Sequence, residues 1–162
     1  MNEKALVEAL IFASKGITLK KLSRITGIEE KRLEEIISSI KTFYESEDRG
    51  VELREVDGEY GFYTKRDYGD YVEKLLGKRF TKLTPQQLEV VVIIAMKGPL
   101  TKSEIDSSRG KDSSNIIRTL HRMGVLRRRR KGKRILYDLS KPFKESALYE
   151  EIMERLRGEE HG

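Results

Sequence analysis

Ala95-Met96-Lys97-Gly98 repeats Ala13-Ser14-Lys15-Gly16 of the same chain at an offset of 82 residues. Thr101 then repeats Thr18 and Gly110 repeats Gly27, both at an offset of 83, with one extra residue at Pro99 accounting for the change. The same plan surrounds each copy. In the first, Leu6, Val7, Leu10, Ile11 and Ala13 recur at helical spacing from residue 3 to Ser14, and Gly16 ends the helix. Thr18 is placed to cap a short helix carrying Leu19, Leu22 and Ile25, which Gly27 closes. A third helix, from about Glu29 to Phe43, carries Leu33, Ile36, Ile37 and Ile40 as its apolar stripe. After Gly50 the period changes from helical to alternating. Two short runs, Val51 to Val56 and Tyr60 to Thr64, meet at Asp57-Gly58, a hairpin signal.

The second copy opens at Thr84-Pro85-Gln86-Gln87, where Thr84 caps, Pro85 suits the first helical position and Gln87 completes a capping box. Leu88, Val91, Val92 and Ala95 carry that helix to Gly98. Thr101 with Glu104 is a second capping box, opening a short helix through Ile105 that stops before Gly110. Asp112 or Ser113 caps a third helix holding Ile116, Ile117, Leu120 and Met123, closed by Gly124. Val125 and Leu126 start a strand, Lys131-Gly132-Lys133 turns it, and Ile135, Tyr137 and Leu139 return. Chance rarely reproduces element order, caps and terminators together. The expected fold is mainly helical with small β-hairpin wings (α+β), two tandem winged-helix domains plus a C-terminal helix. The expected division is 1–80 for the first domain, closing on a linking helix that carries Tyr68, Tyr71, Val72, Leu75 and Leu76. The second domain is 81–141. A C-terminal amphipathic helix and tail, 142–162, carries Leu148, Ile152 and Leu156.

Of the 162 residues 37% are hydrophobic and 37% charged, against the ~25% charge usual for globular chains. Modules that bury one narrow stripe and expose the rest give that balance. No Cys is present, which excludes disulfides and thiolate metal sites. The longest apolar run, Val90 to Met96, falls far short of the ~20 residues of a membrane span. Glu3 and Glu8 interrupt the apolar stretch near the N-terminus, so a signal peptide is not expected. A soluble, cytoplasmic chain is the expectation. Net charge is +6 and unevenly spread: residues 1–80 carry −1, residues 81–141 carry +10 and residues 142–162 carry −3. The excess in the second domain calls for an anionic partner.

Catalysis finds little support. A nucleophile needs a positioned base, and His121 and His161 are the only imidazoles. Two separated histidines without Cys make no zinc site, and no cofactor is expected. Gly110-Lys111-Asp112-Ser113 fails as a phosphate loop, because Ile105 stands where the first glycine is required and Asp follows the Lys. The clearest local signal is instead Arg127-Arg128-Arg129-Arg130-Lys131-Gly132-Lys133-Arg134, in the second wing. Its cations are candidate contacts to a phosphate backbone, releasing counterions, to an acidic protein, or simply blunt a sheet edge. On the adjoining third helix Arg118 and Arg122, with Ser114 and Asn115, face outward, where a recognition helix would meet the major groove. The first domain's third helix offers Glu30, Glu34, Glu35 and Ser38, a face that DNA would repel. Its surface suits protein contact better. A DNA-binding transcriptional regulator using the second domain is the alternative reading.

Ala5-Leu6-Val7-Glu8-Ala9-Leu10-Ile11-Phe12-Ala13-Ser14 resembles the opening helix of the segregation and condensation protein B family. Gly50-Val51-Glu52-Leu53-Arg54-Glu55-Val56, with Gly58 and Tyr60, resembles its first wing, and Tyr71-Val72-Glu73-Lys74-Leu75-Leu76 its linking segment. Leu83 to Leu126 carries the fullest likeness, through Pro99-Leu100-Thr101-Lys102-Ser103-Glu104-Ile105, Arg109-Gly110-Lys111-Asp112-Ser113-Ser114 and Arg118-Thr119-Leu120. The resemblance implies a non-catalytic homodimer, formed chiefly through its N-terminal modules. It also implies binding to a kleisin subunit, ScpA-like, and through it to an SMC ATPase in chromosome condensation and segregation at the nucleoid. It does not assign the kleisin-binding residues. The family's longer, proline-bearing second wing is compressed here to Arg130-Lys131-Gly132-Lys133-Arg134, which leaves direct DNA contact open.

Overall fold

The computed structural model describes residues 1–77, 80 and 82–161, with the backbone alone for residues 160 and 161. Thr81, the expected first residue of the second domain, and the side chain of His161 lie outside the described residues. The chain separates into two compact units, Met1–Gly77 and Lys78–Gly162.

The first unit runs α1 (Glu3–Ala13), β1 (Ile17–Thr18), α2 (Leu19–Thr26), α3 (Glu30–Tyr44), β2 (Val51–Val56) and β3 (Glu59–Thr64). A single 3-10 turn, Arg66–Tyr68, and α4 (Gly69–Leu76) follow. Thr18 caps α2 as expected, its Oγ1 accepting the Lys21 N–H at 3.1 Å. Gly27 ends that helix at φ +75°, a left-handed conformation that any side chain would strain. Val7, Ile11, Leu22, Leu33, Ile36, Ile37 and Ile40 form the core beneath the sheet residue Leu53. The sheet order is β1-β3-β2, all antiparallel, with Leu53 opposite Phe62. Asp57 and Gly58 both take positive φ (53° and 78°), the requirement of the two-residue hairpin turn that their pairing signals. Alternation along β2 is imperfect, since both Leu53 and Val56 are buried. The linking segment is helical, but it closes the first unit and none of its residues is buried.

The second unit runs α5 (Pro85–Lys97), α6 (Lys102–Arg109), α7 (Ser114–Arg122), β4 (Leu126–Lys131), β5 (Arg134–Leu139), α8 (Lys141–Lys144) and α9 (Ala147–His161). Both expected capping boxes are formed with both arms, Thr84 with Gln87 and Thr101 with Glu104. The duplication extends to the sheet. Leu100 exchanges backbone hydrogen bonds with Tyr137 (3.0 and 2.7 Å), as Ile17 of β1, 83 residues before Leu100, pairs with Tyr60. Gly110 repeats Gly27 down to its φ of +73° and its 2.8 Å bond to the carbonyl four residues back.

Each unit therefore opens with three helices followed by a hairpin, the winged-helix order. Residues 142–162 do not stand apart from the second core: Phe143 is fully buried and Ile152 nearly so. The Phe143 ring meets Phe80 and Tyr149 edge-on at 5.4 and 5.7 Å, and burial of such side chains is worth ~1.5–3 kcal/mol each.

Candidate functional site

A two-residue turn, Gly132-Lys133, lets β4 and β5 stay in register from Leu126 opposite Leu139 to Lys131 opposite Arg134. Gly132, at φ +63°, is the residue in the left-handed region. Side chains alternate along the strands. Leu126, Arg128 and Arg130 share one face with Leu139, Tyr137 and Ile135, while Arg127, Arg129 and Lys131 share the other with Asp138, Leu136 and Arg134. Leu126 and Leu139 are buried at the base, so the hairpin is anchored there and carries exposed cations from Arg127 outward.

The carboxylates of this region are taken up internally. Glu104 receives Arg134 at 2.7 Å, and Asp138 faces Arg127 at 3.9 Å. Asp106 and Asp112 both hold Lys102, at 2.5 and 2.8 Å. Lys102 and the Ser114 hydroxyl and N–H lower the Asp112 carboxyl to about 2. The Thr101 side chain, its N–H and Arg134 likewise lower that of Glu104. Arg118, Arg122, Arg128, Arg129, Arg130, Lys131 and Lys133 are exposed, and among the described residues none has a carboxylate within ion-pairing distance. The two ends of the predicted basic run, Arg127 and Arg134, are thus partnered, while its middle is not.

An open groove of about 290 Å³ lies between α7 and the wing, lined by Lys102, Ser114, Ile117, Arg118, His121, Arg128 and Tyr137. It brings Arg118 and Arg128, both singled out from the sequence, onto opposite walls. Arg122 lies outside it. Lys102, His121 and Tyr137 were not among the candidates, because only the packing of α6 and the hairpin beside α7 places them there.

Of the two residues expected to cap α7, Asp112 accepts the Ser114 N–H at 3.3 Å. Ser113 holds the cap position but its side chain caps nothing; it accepts instead from Arg109 at 2.8 Å. Arg109, with a side chain only 1% exposed, also donates to the Asp112 carbonyl (3.3 Å) and pairs with Glu89 of α5 (3.4 Å). Asp106 accepts the Ser113 N–H at 2.8 Å. A nearly buried guanidinium, invisible in a helix-terminal Ser-Ser-Arg-Gly pattern, thereby fixes α7 against α5 and α6.

The first unit has no comparable basic surface. Glu30, Glu34, Glu35 and Ser38 of α3 are exposed as expected, and Arg32 ties Glu35 (3.2 Å) to Glu3 (3.3 Å). It exposes large apolar side chains instead: Phe12, Ile25 and Phe43, and on α4 Tyr71, Leu75 and Leu76, each of these last three more than 70% exposed. Among the described residues no cluster of His, Asp and Glu could hold a metal ion, and no helix is long and apolar enough to cross a membrane.

The model of the segregation and condensation complex subunit ScpB family matches residues 5–157. Segregation and condensation protein B of Bacillus licheniformis is 35% identical over 151 residues, spanning 90% of this chain and 77% of that one. The Bacillus subtilis protein is also 35% identical, with the same spans. Among solved structures, ScpB from Mycobacterium tuberculosis aligns at 25% identity over 88% of this chain and 92% of its own, with a TM-score of 0.42. A dimer of the ScpB N-terminal domain complexed with ScpA peptide aligns at 29% identity over 48% of this chain and 95% of its own, with a TM-score of 0.45. Superpositions this loose add nothing to the sequence match, which suffices by itself. The chain belongs to the segregation and condensation protein B family.

Proposed function

We propose that this chain is a non-catalytic, dimeric subunit that binds a kleisin and, through it, an SMC ATPase, supporting chromosome condensation and segregation in the cytoplasm at the nucleoid. Family membership supports the role, and the surface of the first unit supports the manner. Of the eleven large apolar side chains left exposed among the described residues, nine belong to Met1–Gly77 and two, Met96 and Ile135, to the second unit. Apolar surface concentrated in this way marks protein contact. From the 3-10 turn into α4, Tyr68, Tyr71 and Leu75 recur at helical spacing with Leu76 beside them, a stripe that is left exposed.

Two measurements on the full chain test the proposal. Light scattering should return about twice the 18.8 kDa chain mass, and co-expression with the organism's kleisin should yield a stoichiometric complex. A monomer that leaves the kleisin behind would contradict the reading.

A further inference from the structure

We propose that the second unit grips the phosphate backbone of duplex DNA, without reading its sequence, between the wing and the C-terminal half of α7. The inference concerns a different surface from the one assigned to protein contact and stands independently of it.

Charge sorting carries the argument. Residues 81–141 hold five carboxylates, and each is engaged by a cation of the same unit: Glu89 by Arg109, Glu104 by Arg134, Asp106 and Asp112 by Lys102, Asp138 by Arg127. These pairings use Arg127 and Arg134, the two ends of the basic run, and leave its middle and the last two turns of α7 without a carboxylate. Seven of the remaining cations lie on α7 and the wing: Arg118 and Arg122 on α7, Arg128 to Lys131 on β4, and Lys133 in the turn. Arg118 and Arg128 both line the groove, and Arg130 extends the Arg128 face toward the tip. Seven like charges on two neighbouring elements repel one another, a cost that a bound polyanion relieves.

The form of the tract selects the polyanion. Six residues of β4 span ~20 Å, about half a turn of B-DNA, whose phosphates follow one another every ~3.4 Å of rise on each strand. An acidic peptide would also want apolar anchors, but the exposed large apolar residue on the wing is Ile135 alone, at 38%. The N-terminal end of α7, which a recognition helix presents to base edges, is occupied by the Asp112 carboxylate, which accepts the Ser114 N–H at 3.3 Å and the Ser114 hydroxyl at 2.9 Å. The Ser114 N–H and hydroxyl are thus already engaged and not offered to bases, which leaves backbone contacts that position without specifying sequence.

Fluorescence anisotropy of the full chain with labelled 30-base-pair duplexes of unrelated sequence tests this. Duplexes should bind within about threefold of one another. With about four phosphates engaged, affinity should fall roughly 100-fold between 50 and 200 mM salt. Arg128→Glu with Arg130→Glu should weaken every duplex at least 30-fold and flatten the salt dependence. Arg128→Lys with Arg130→Lys should stay within about threefold of the parent. If the doubly reversed wing loses its melting transition, Arg122→Glu with Lys133→Glu takes its place. Unchanged binding in a folded reversal variant at matched salt overturns the proposal. So does a parent that binds a polyglutamate peptide but no duplex, or one that prefers a particular duplex more than tenfold in a manner lost with Arg118→Ala.

Discussion

The turn between the second and third helices is built twice in this chain, by different chemistry. In the first unit it is held by neutral hydroxyls. Thr26 donates to the Leu22 carbonyl (2.7 Å) and accepts the Ile28 N–H (3.2 Å), while Ser23 donates to the Ile28 carbonyl (2.7 Å). The residues 83 positions on are Arg109 and Asp106, and there charges do the work: Arg109 reaches Glu89, the Asp112 carbonyl and Ser113, and Asp106 takes the Ser113 N–H and Lys102. The second turn is also one residue longer, since α7 starts at Ser114 while α3 starts at Glu30. A duplicated scaffold can thus keep its caps and terminators while its polar fastenings change character. The surfaces diverge in the same sense, apolar in the first unit and cationic in the second.

Removing the fastenings is the strongest way to break this comparison. Arg109→Ala leaves buried Ser113 without its partner and empties the space of a nearly buried side chain. We expect a loss of about 2–3 kcal/mol and a fall of roughly 10 °C or more in the second unit's melting temperature by calorimetry. Thr26→Ala, at the matching position, should cost about 1 kcal/mol. Equal losses would mean that the two turns are energetically alike despite their chemistry.

The apolar surface is tested next. Leu75→Glu with Leu76→Glu places charge where protein contact is proposed, and kleisin capture should weaken at least tenfold, since each buried leucine is worth ~1.5–3 kcal/mol and ~1.4 kcal/mol is tenfold. The variant should melt as the parent does, because neither side chain packs on its own unit.

A smaller effect measures what the copies still share. Thr18→Ala and Thr101→Ala each remove a cap whose Oγ1 accepts the N–H three residues on, at 3.1 and 3.2 Å, and each should cost about 1 kcal/mol by denaturant unfolding. Glu104 completes a box where the first unit has Lys21, so the second loss should be the larger.

The smallest concerns acid. Asp112 ionises at about 2 in the folded chain, below the ~3.9 of a free Asp. Its favourable contribution is therefore present above pH ~4 and disappears as pH falls toward 2. Asp112→Asn should flatten the dependence of melting temperature on pH within that window and leave it unchanged at pH 6–8.

Local chemistry explains what was legible in advance. A cap, a box partner three residues on and a left-handed glycine are encoded within single turns, so Thr18, Thr84, Thr101, Gly27 and Gly110 announce the helices and their duplication. The wing's charge and its turn are equally local. What escaped depends on contacts distant in sequence. Arg109 reads as one more helix-terminal cation until Glu89, twenty residues earlier, is brought beside it. Lys102, His121 and Tyr137 join Arg118 and Arg128 only once three elements surround a groove. The third segment, 142–162, looks like an appended helix because its stripe is amphipathic, and Phe143 seals a core whose other members lie mostly before residue 140.

A crossed binding measurement tests the division of labour most directly. The full chain, Leu75→Glu with Leu76→Glu, and Arg128→Glu with Arg130→Glu would each be titrated against the kleisin and against a labelled random duplex at one salt concentration. The expected pattern is reciprocal: the leucine variant loses the kleisin and keeps DNA, and the arginine variant loses DNA and keeps the kleisin. A folded arginine variant that loses both, or a leucine variant that keeps the kleisin, would contradict the account.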